Sequence, residues 1–392
     1  MITGQLSDAV AAAASAAQAA GELAGPPLPD DAAPADSAAL ADGPALADGV
    51  ALAGSWRPVP AAAGGGPGRY ATTIPFLLAS RLAGEPAQIA ALLAARLTED
   101  GAPAGICRAA VTGPGYLSLT VSPETLGRLA ARISQAGPGC ARSAALRGTT
   151  VTAPARTVLA AAGSWDQAWQ RLAAEQAGRL ASAAGATVSW TDPPDGAAPG
   201  EPGPVAGAVA FAGPDAIRYA LSRAVPSGAG PGRHIPAIDP RATAAQHLGN
   251  PFYAVRYAHA HAASILRQSA DLGLPAADAA QFQPRLLAHP REQALLDAMS
   301  WLPERVAGAA RRGQPHVLAA YLEDLTGKYL DWQECCSLSQ PGAFPPGPDQ
   351  LPGPDQPPGA PLRQARLVLA DAVRTVLSTG LGLLGMAAPG GG

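Results

Sequence analysis

The sequence predicts an α+β protein that is mostly α-helical, with a small α+β module ahead of a C-terminal helical bundle. Residues 74–121 first space their apolar side chains as a helix does, and then alternate as strands do around Gly113-Pro114-Gly115. Beyond Gly213 the apolar spacing is helical. The length of 392 residues suits two or three domains with real cores.

Residues 1–49 predict a separate N-terminal segment that is rich in Ala and Pro. Residues 5–23 favour a helix because Ala has the highest intrinsic helix propensity. Residues 25–48 have little to bury, which predicts a disordered linker. The net charge of −3 gives no global basic field that would indicate nucleic acid. Residues 1–56 hold seven acids and no base, so the rest carries 27 bases against 23 acids, a weak signal for nucleic acid.

The four cysteines are Cys107, Cys140, Cys335 and Cys336, and no two of them form a CxxC pair. We therefore expect no metal site, and we expect the adjacent pair to be two helical residues of a reduced, cytoplasmic chain. The Ala-rich start lacks the regions of a signal peptide. No apolar run reaches the ~20 residues that span a bilayer, so we expect no membrane partner.

Residues 50–135 predict the small α+β module. Its sequence GRYATTIPFLLASRLAGEPAQIAALLAARL, followed by VTGPGYLSLTVS, resembles the N-terminal additional domain of bacterial arginyl-tRNA synthetases. The resemblance implies contact with the tRNA elbow, and it makes Arg69, Tyr70 and Tyr116 candidates for that contact. Arg69 is itself a departure, because the family pattern has Asp there.

Residues 136–212 are dense in Gly, Pro and Ala. They predict one helix over 165–184, a short strand over 187–190 and a loop or disordered segment over 193–204. A doubly wound nucleotide-binding domain needs far more chain than this. We expect a shortened remnant or linker in place of the synthetase catalytic core, and hence no full Rossmann domain.

Residues 213–392 predict the helical bundle, interrupted by a Pro-rich loop over 341–361. GPDAIRYALSR and NPFYAVRYAHAHAASILR resemble the hinge that leads into the DALR-type anticodon-binding domain of arginyl-tRNA synthetases. Asn250 and Pro251 suit a helix start, as N-cap and first helical residue. The resemblance yields six candidates for a domain junction: Asp215, Arg218, Asn250, Tyr257, His259 and His261. His261 replaces an Arg of the family pattern.

The junction residues have two open interpretations, which are packing between helices and a role in tRNA binding. The segment YLDWQECCSL, residues 329–338, resembles the family's anticodon-reading segment. Such reading uses stacking on aromatic rings, and Tyr329 and Trp332 keep that character. Gln333 and Ser337 replace a Tyr and an Arg. Trp332 is either a stacking platform or a core residue.

Arg311 and Arg312 complete the tRNA-binding candidates, because guanidinium groups pair with phosphates, although they also fit a solvated helix end. Aminoacylation needs donors placed around the phosphates of ATP together with Mg²⁺. All six histidines lie at or beyond position 234, no HxGH motif occurs, and Lys328 is the only lysine. We therefore assign no catalytic residue and expect no cofactor.

The sequence thus predicts an arginyl-tRNA synthetase-related protein with an anticodon-binding domain and without aminoacylation activity. We expect it to bind tRNA or a synthetase-like protein partner, and not DNA. Two alternatives stay open. One is an arginine–tRNA ligase, using ATP and Mg²⁺, whose catalytic part is supplied in trans. The other is a relic that only binds protein.

Overall fold

A computed structural model describes residues 2–23, 56–59, 65–82, 84–98, 105–192, 203–227, 234–271, 273, 282–336 and 359–389. The helices are α1 (Ile2–Ala19), α2 (Ile74–Ala79), α3 (Pro86–Thr98), α4 (Pro123–Ala136), α5 (Trp165–Ala183), α6 (Pro204–Ala212), α7 (Pro214–Arg223), α8 (Pro240–Ala244), α9 (Pro251–Asp271), α10 (Pro290–Ser300), α11 (Leu302–Arg312), α12 (His316–Cys335) and α13 (Ala360–Leu383). The strands are β1 (Trp56–Pro58), β2 (Arg69–Thr72), β3 (Ile106–Thr112), β4 (Tyr116–Val121), β5 (Thr150–Pro154) and β6 (Thr187–Thr191). The predicted mostly helical α+β class is confirmed.

The N-terminal module is an antiparallel sheet in the order β1-β2-β4-β3, covered by helices. The predicted helix over 5–23 is observed as α1, and it packs on α3. Trp56 of β1 is buried and donates its indole N–H to Ser7 Oγ of α1 at 2.7 Å. Helix α1 therefore shares a core with the sheet, whereas the predicted linker over 25–48 lies outside the described residues.

The turn between β3 and β4 explains the glycines of the sequence VTGPGY. Gly115 has φ +131°, a conformation that residues with a Cβ rarely adopt. A Cβ built there would lie 2.7 Å from Pro86 Cβ and 2.9 Å from the backbone nitrogen of Ala87. The turn thus packs its backbone directly against the first residues of α3, which fixes the sheet on that helix.

Replacing Gly115 with Ala should destabilise the protein by about 1–3 kcal/mol, because the added methyl group would push the β3–β4 turn away from the backbone at the start of α3. Denaturant unfolding followed by circular dichroism measures this loss. The matched control is Gly113→Asn, since Gly113 has φ +54°, which Asn tolerates, and its nearest neighbour would be a Tyr116 ring carbon at 3.7 Å. Equal stability of the two variants would contradict the role given to Gly115.

The middle of the chain folds as a single βαβ unit. Strands β5 and β6 pair in parallel, with Thr150 opposite Thr187, and α5 provides the crossover. The predicted helix over 165–184 and strand over 187–190 are observed, whereas β5 was not predicted. Most of the loop predicted over 193–204 lies outside the described residues. In the described part of residues 136–212 the sheet has two strands, whereas a doubly wound domain has five or six parallel strands.

Helix α5 is attached to the bundle by a buried ion pair. Glu175 is fully buried and accepts hydrogen bonds from the guanidinium of Arg218 on α7, at 3.1 and 3.2 Å. The same carboxylate accepts from the Thr157 backbone N–H at 2.7 Å and from Arg179 Nε at 3.1 Å. Next to it, Gln176 donates to the Leu384 carbonyl at 2.8 Å. These bonds hold the middle unit against both ends of the bundle.

The bundle is formed around α9, α12 and α13, and α13 also packs on α4 of the N-terminal module. Asn250 caps α9 as predicted, because its Oδ1 accepts the Phe252 backbone N–H at 3.2 Å. Its Nδ2 donates to the carbonyls of Thr243 and Ala245, which holds α8 beside the start of α9. Most of the Pro-rich loop predicted over 341–361 lies outside the described residues. No described helix combines the length and apolarity that crossing a bilayer requires.

Candidate nucleic-acid interface

One face of α9 carries three stacked rings. Tyr253, Tyr257 and His261 are spaced four residues apart, which places them one above the other on a helix. The ring centroids lie 6.2 Å apart for Tyr253 and Tyr257, and 5.8 Å apart for Tyr257 and His261. The interplanar angles are 21° and 23°. Tyr257 keeps 36% of its surface exposed, so this face offers an aromatic surface on which a base could stack.

The ring series continues from α9 into the core. His261 Nδ1 shares a hydrogen bond of 2.8 Å with the hydroxyl of Tyr329, and the Tyr329 ring lies 5.7 Å from that of Trp332. Burial lowers the pKa of His261 and raises that of Tyr329, so both side chains are neutral near pH 7. The half-buried Tyr253 and the exposed Tyr257 therefore belong to a ring series that ends in packed aromatic residues of α12.

A cavity of about 390 Å³ lies beside these rings. Its walls include Asn250, Phe252, Tyr253, Arg256 and Tyr257. The Arg256 side chain is exposed, and its guanidinium carbon lies 5.4 Å from the centroid of the Phe252 ring. A cation next to a stacking surface is the combination that single-stranded nucleic acid requires, because the ring contacts a base and the guanidinium contacts a phosphate.

A second cavity of about 250 Å³ shares the residues around Asn250 with the first one. Its walls also include Tyr219, Arg223 and His247. The Arg223 guanidinium pairs with Glu323 at 2.6 Å, and Tyr219 donates its hydroxyl to the same carboxylate at 3.1 Å. The positive charge of Arg223 is thus partly neutralised, which makes Arg256 the better phosphate contact.

The structure corrects the prediction for the anticodon-reading segment. Tyr329 is 0% exposed and Trp332 is 1% exposed, so neither ring can stack on a base. Trp332 is a core residue, which was one of the two interpretations left open. The reason is helical geometry, since both side chains fall on the buried face of α12, where Tyr329 contacts His261 of α9. On the outer face, Asp331 pairs with Arg291 at 2.6 Å.

Tyr70 also does not fit the tRNA-binding role predicted for it. It is fully buried, donates its hydroxyl to Ser300 Oγ at 2.9 Å, and lies 5.1 Å from the ring of Trp301. Nearby, the Gly68 backbone N–H donates to Asp297 Oδ1 at 2.9 Å. Strand alternation turns Tyr70 inward, so this part of β2 joins the N-terminal module to α10.

The other predicted tRNA contacts lie at the surface but away from the α9 cavity. Arg69 is exposed on β2, and Tyr116 is 38% exposed and packs edge-on against Phe76 at 5.0 Å. Arg311 and Arg312 are exposed in the last turn of α11, where cations stabilise a helix C-terminus. These four residues do not line the described cavities beside α9.

Most of the six junction candidates pack between helices. Arg218, Asn250 and His261 make the bonds already described, and Asp215 lies half-buried in the first turn of α7. His259 is 4% exposed, and its Nδ1 lacks a hydrogen-bond partner in the described structure. Burial, assisted by nearby Arg374, lowers its pKa to about 4, so the ring is neutral. Of the six, only Tyr257 combines exposure with a place on the cavity wall.

Sequence reasoning missed Tyr253 and Arg256. The available signal was the four-residue spacing of aromatic rings in YAVRYAHAH, which places three of them on one helical face. The cavity itself could not be read from this segment, because residues of α6, α8 and the chain beyond α13 complete its walls.

Two known families match parts of the chain. Residues 63–121 match the arginyl tRNA synthetase N terminal domain, and residues 255–390 match the DALR anticodon binding domain. The arginine–tRNA ligase of Frankia alni is 37% identical over 177 residues, which are 45% of this chain and 28% of that protein. The corresponding ligase of Clavibacter sepedonicus is 38% identical over 140 residues, or 36% and 22% of the two chains.

Among solved structures, the arginyl-tRNA synthetase of Thermus thermophilus aligns with 62% of this chain and 41% of its own, at 24% identity and a TM-score of 0.32. The chain thus spans less than a third of the length of the two ligases that it matches. The matched regions are the sheet module and the bundle that carries the α9 face.

Proposed function

We propose that this arginyl-tRNA synthetase-related protein, which carries an N-terminal domain and a DALR anticodon binding domain of that family, binds tRNA without activating arginine. The observation that carries the proposal is the α9 face, where Tyr253 and Tyr257 stack beside the exposed Arg256 and a cavity of about 390 Å³. Arg256 and Tyr257 lie within residues 255–390, which match the anticodon binding domain, and Tyr253 lies two residues before that range. A single-stranded loop supplies the unstacked bases and phosphates that such a surface accepts.

The non-catalytic part of the proposal is supported by the middle of the chain. Between the two matched domains, the described residues 137–192 contain one βαβ unit with two parallel strands. The sequence places no histidine ahead of His234 and no lysine other than Lys328. That unit therefore lacks histidine and lysine donors that could stabilise the charge that develops on ATP phosphates, and its cationic side chains are arginines.

Gel-shift titration of the full chain with total tRNA tests the binding. We expect a shift at low salt that weakens as salt rises, because the contacts with phosphates release counterions. An absence of any shift at low salt would contradict tRNA binding and would favour a protein partner instead. The same preparation should give no arginine- and ATP-dependent pyrophosphate exchange, and exchange above the background would overturn the non-catalytic assignment.

Tyr257→Ala should weaken tRNA binding by about 1–3 kcal/mol, since one base loses its stacking partner. Tyr257→Phe is the matched control and should keep the affinity of the wild-type protein, because the ring is retained. Circular dichroism and thermal unfolding of both variants verify that α9 stays folded. If the Ala variant bound tRNA as tightly as the Phe variant, the α9 face would not be the binding surface.

A further inference from the structure

Three soft metal ligands meet where α12 ends and α10 begins. His289 is the N-cap of α10, Cys335 is the last residue of α12, and Cys336 follows it. One ligand atom from each of these residues lies within 4.8 Å of the other two. The adjacent cysteines alone gave no signal for a metal, because His289 comes from a distant part of the sequence. The fold therefore assembles a set of one imidazole and two thiols.

Two of the three distances already suit a shared ion. The Sγ atoms of Cys335 and Cys336 are 3.6 Å apart, and Cys336 Sγ is 3.4 Å from His289 Nδ1. With Zn–S near 2.3 Å and Zn–N near 2.0 Å, tetrahedral coordination needs separations of roughly 3.7 Å between sulfurs and roughly 3.5 Å between sulfur and nitrogen. A rotation of the exposed Cys335 side chain can adjust the third distance.

The surroundings of the cluster allow an ion to enter and its charge to be balanced. His289 and Cys335 are exposed and Cys336 is buried, so one side of the cluster opens to solvent. An arriving cation favours the thiolate form of both cysteines, because metal binding displaces the thiol protons. Arg366 donates to Glu292 at 2.7 Å, and Glu292 accepts the backbone N–H of His289 at 3.0 Å.

We propose that His289, Cys335 and Cys336 form a binding site for a thiophilic d¹⁰ cation of the Zn²⁺ type, with a fourth position open to solvent. Thiolate and imidazole are the ligands that such ions prefer, and three protein ligands with one open position are a known zinc arrangement. Binding forms two metal–sulfur bonds and one metal–nitrogen bond, and both thiol protons pass to solvent. His289 Nδ1 gives up the Arg291 backbone N–H that it now accepts at 3.2 Å.

The test uses the full chain, reduced with a phosphine and loaded with Zn²⁺, and compares it with three variants. Competition with a chromophoric chelator gives stoichiometry and affinity, and Co²⁺ loading shows whether sulfur is bound, through charge-transfer absorption. We expect about one ion per chain and sulfur charge transfer in the wild-type protein. Cys335→Ser and His289→Asn should each weaken binding at least about tenfold. Asn keeps the cap of α10, so the second variant removes the imidazole without unfolding the helix.

Cys107→Ser is the matched control, because Cys107 is an exposed cysteine on β3. It should bind metal as the wild-type protein does. Three results would overturn the site: a wild-type chain that retains no stoichiometric ion, Co²⁺ spectra without sulfur charge transfer, or equal affinities in the two site variants and the control. None of these measurements depends on tRNA, so the metal site and the proposed function can fail separately.

Discussion

Glu175→Gln should lower the free energy of unfolding by about 3–5 kcal/mol, because it leaves the buried Arg218 guanidinium without its counter-charge. Glu175 is fully buried and receives bonds from two arginines and one backbone amide. The neutral amide keeps the shape of the side chain but loses its charge, and it adds N–H donors where only acceptors fit. Denaturant unfolding of the full chain, monitored by circular dichroism, measures the change.

Two further variants show whether the loss of stability comes from the buried charge or would follow the loss of any ion pair. Glu124→Gln breaks an exposed ion pair with Arg128 on α4 and should cost no more than about 1 kcal/mol. The double variant Glu175→Leu with Arg218→Met removes both buried charges, and should recover much of the stability lost in Glu175→Gln. A Glu175→Gln protein as stable as the Glu124→Gln protein would show that the buried pair does not anchor α5 to α7.

Trp332→Ala should destabilise the protein by about 3–5 kcal/mol, through the lost apolar contact and the cavity that is left. The ring is 1% exposed and packs against Tyr329, which in turn supports His261 on α9. We expect the tRNA affinity of the molecules that remain folded to be unchanged, because the indole ring does not reach the surface. Unfolding curves together with gel shifts at a temperature where the variant is folded measure both quantities.

Trp332→Phe is the matched variant, and it should lose much less stability because most of the apolar volume remains. The indole N–H of Trp332 has no hydrogen-bond partner in the described structure, so removing it costs little free energy of unfolding. If the Ala variant were as stable as the wild-type protein and bound tRNA weakly, Trp332 would be the stacking platform after all, and the assignment of the α9 face would fail.

Much of the fold follows from local signals in the sequence. The start of α9 at Asn250-Pro251 needs only a capping side chain and a proline, both of which are local. The tight turn at Gly113-Pro114-Gly115 and the helical spacing of the bundle are local as well. Strand β5 was missed because TVTAP is short and lies in a Gly- and Ala-rich stretch, and only its pairing with β6 reveals it.

The candidate site was less accessible to sequence reasoning. A resemblance identifies which segment belongs to a domain, but not which face of its helix or strand is buried. Burial is what decides the roles of Tyr70, Tyr329 and Trp332. Tyr253 and Arg256 acquire a role only because α6 and α8 complete a cavity beside them. The cluster of His289 with Cys335 and Cys336 similarly exists only after two helices meet.

The bond from Gln176 to the Leu384 carbonyl has a consequence for the order in which the contacts of α5 form during synthesis. A ribosome delivers α5 long before α13, so during synthesis the Gln176 amide can donate to Ser222 Oγ of α7, its other acceptor at 2.7 Å, before the Leu384 carbonyl exists. The Arg218 guanidinium emerges earlier and can join Glu175 first. Helix α5 can therefore make its contacts with α7 and α11 first, and its bond to Leu384 only after α13 has left the ribosome. A translational pause within α13 would leave that last bond unmade.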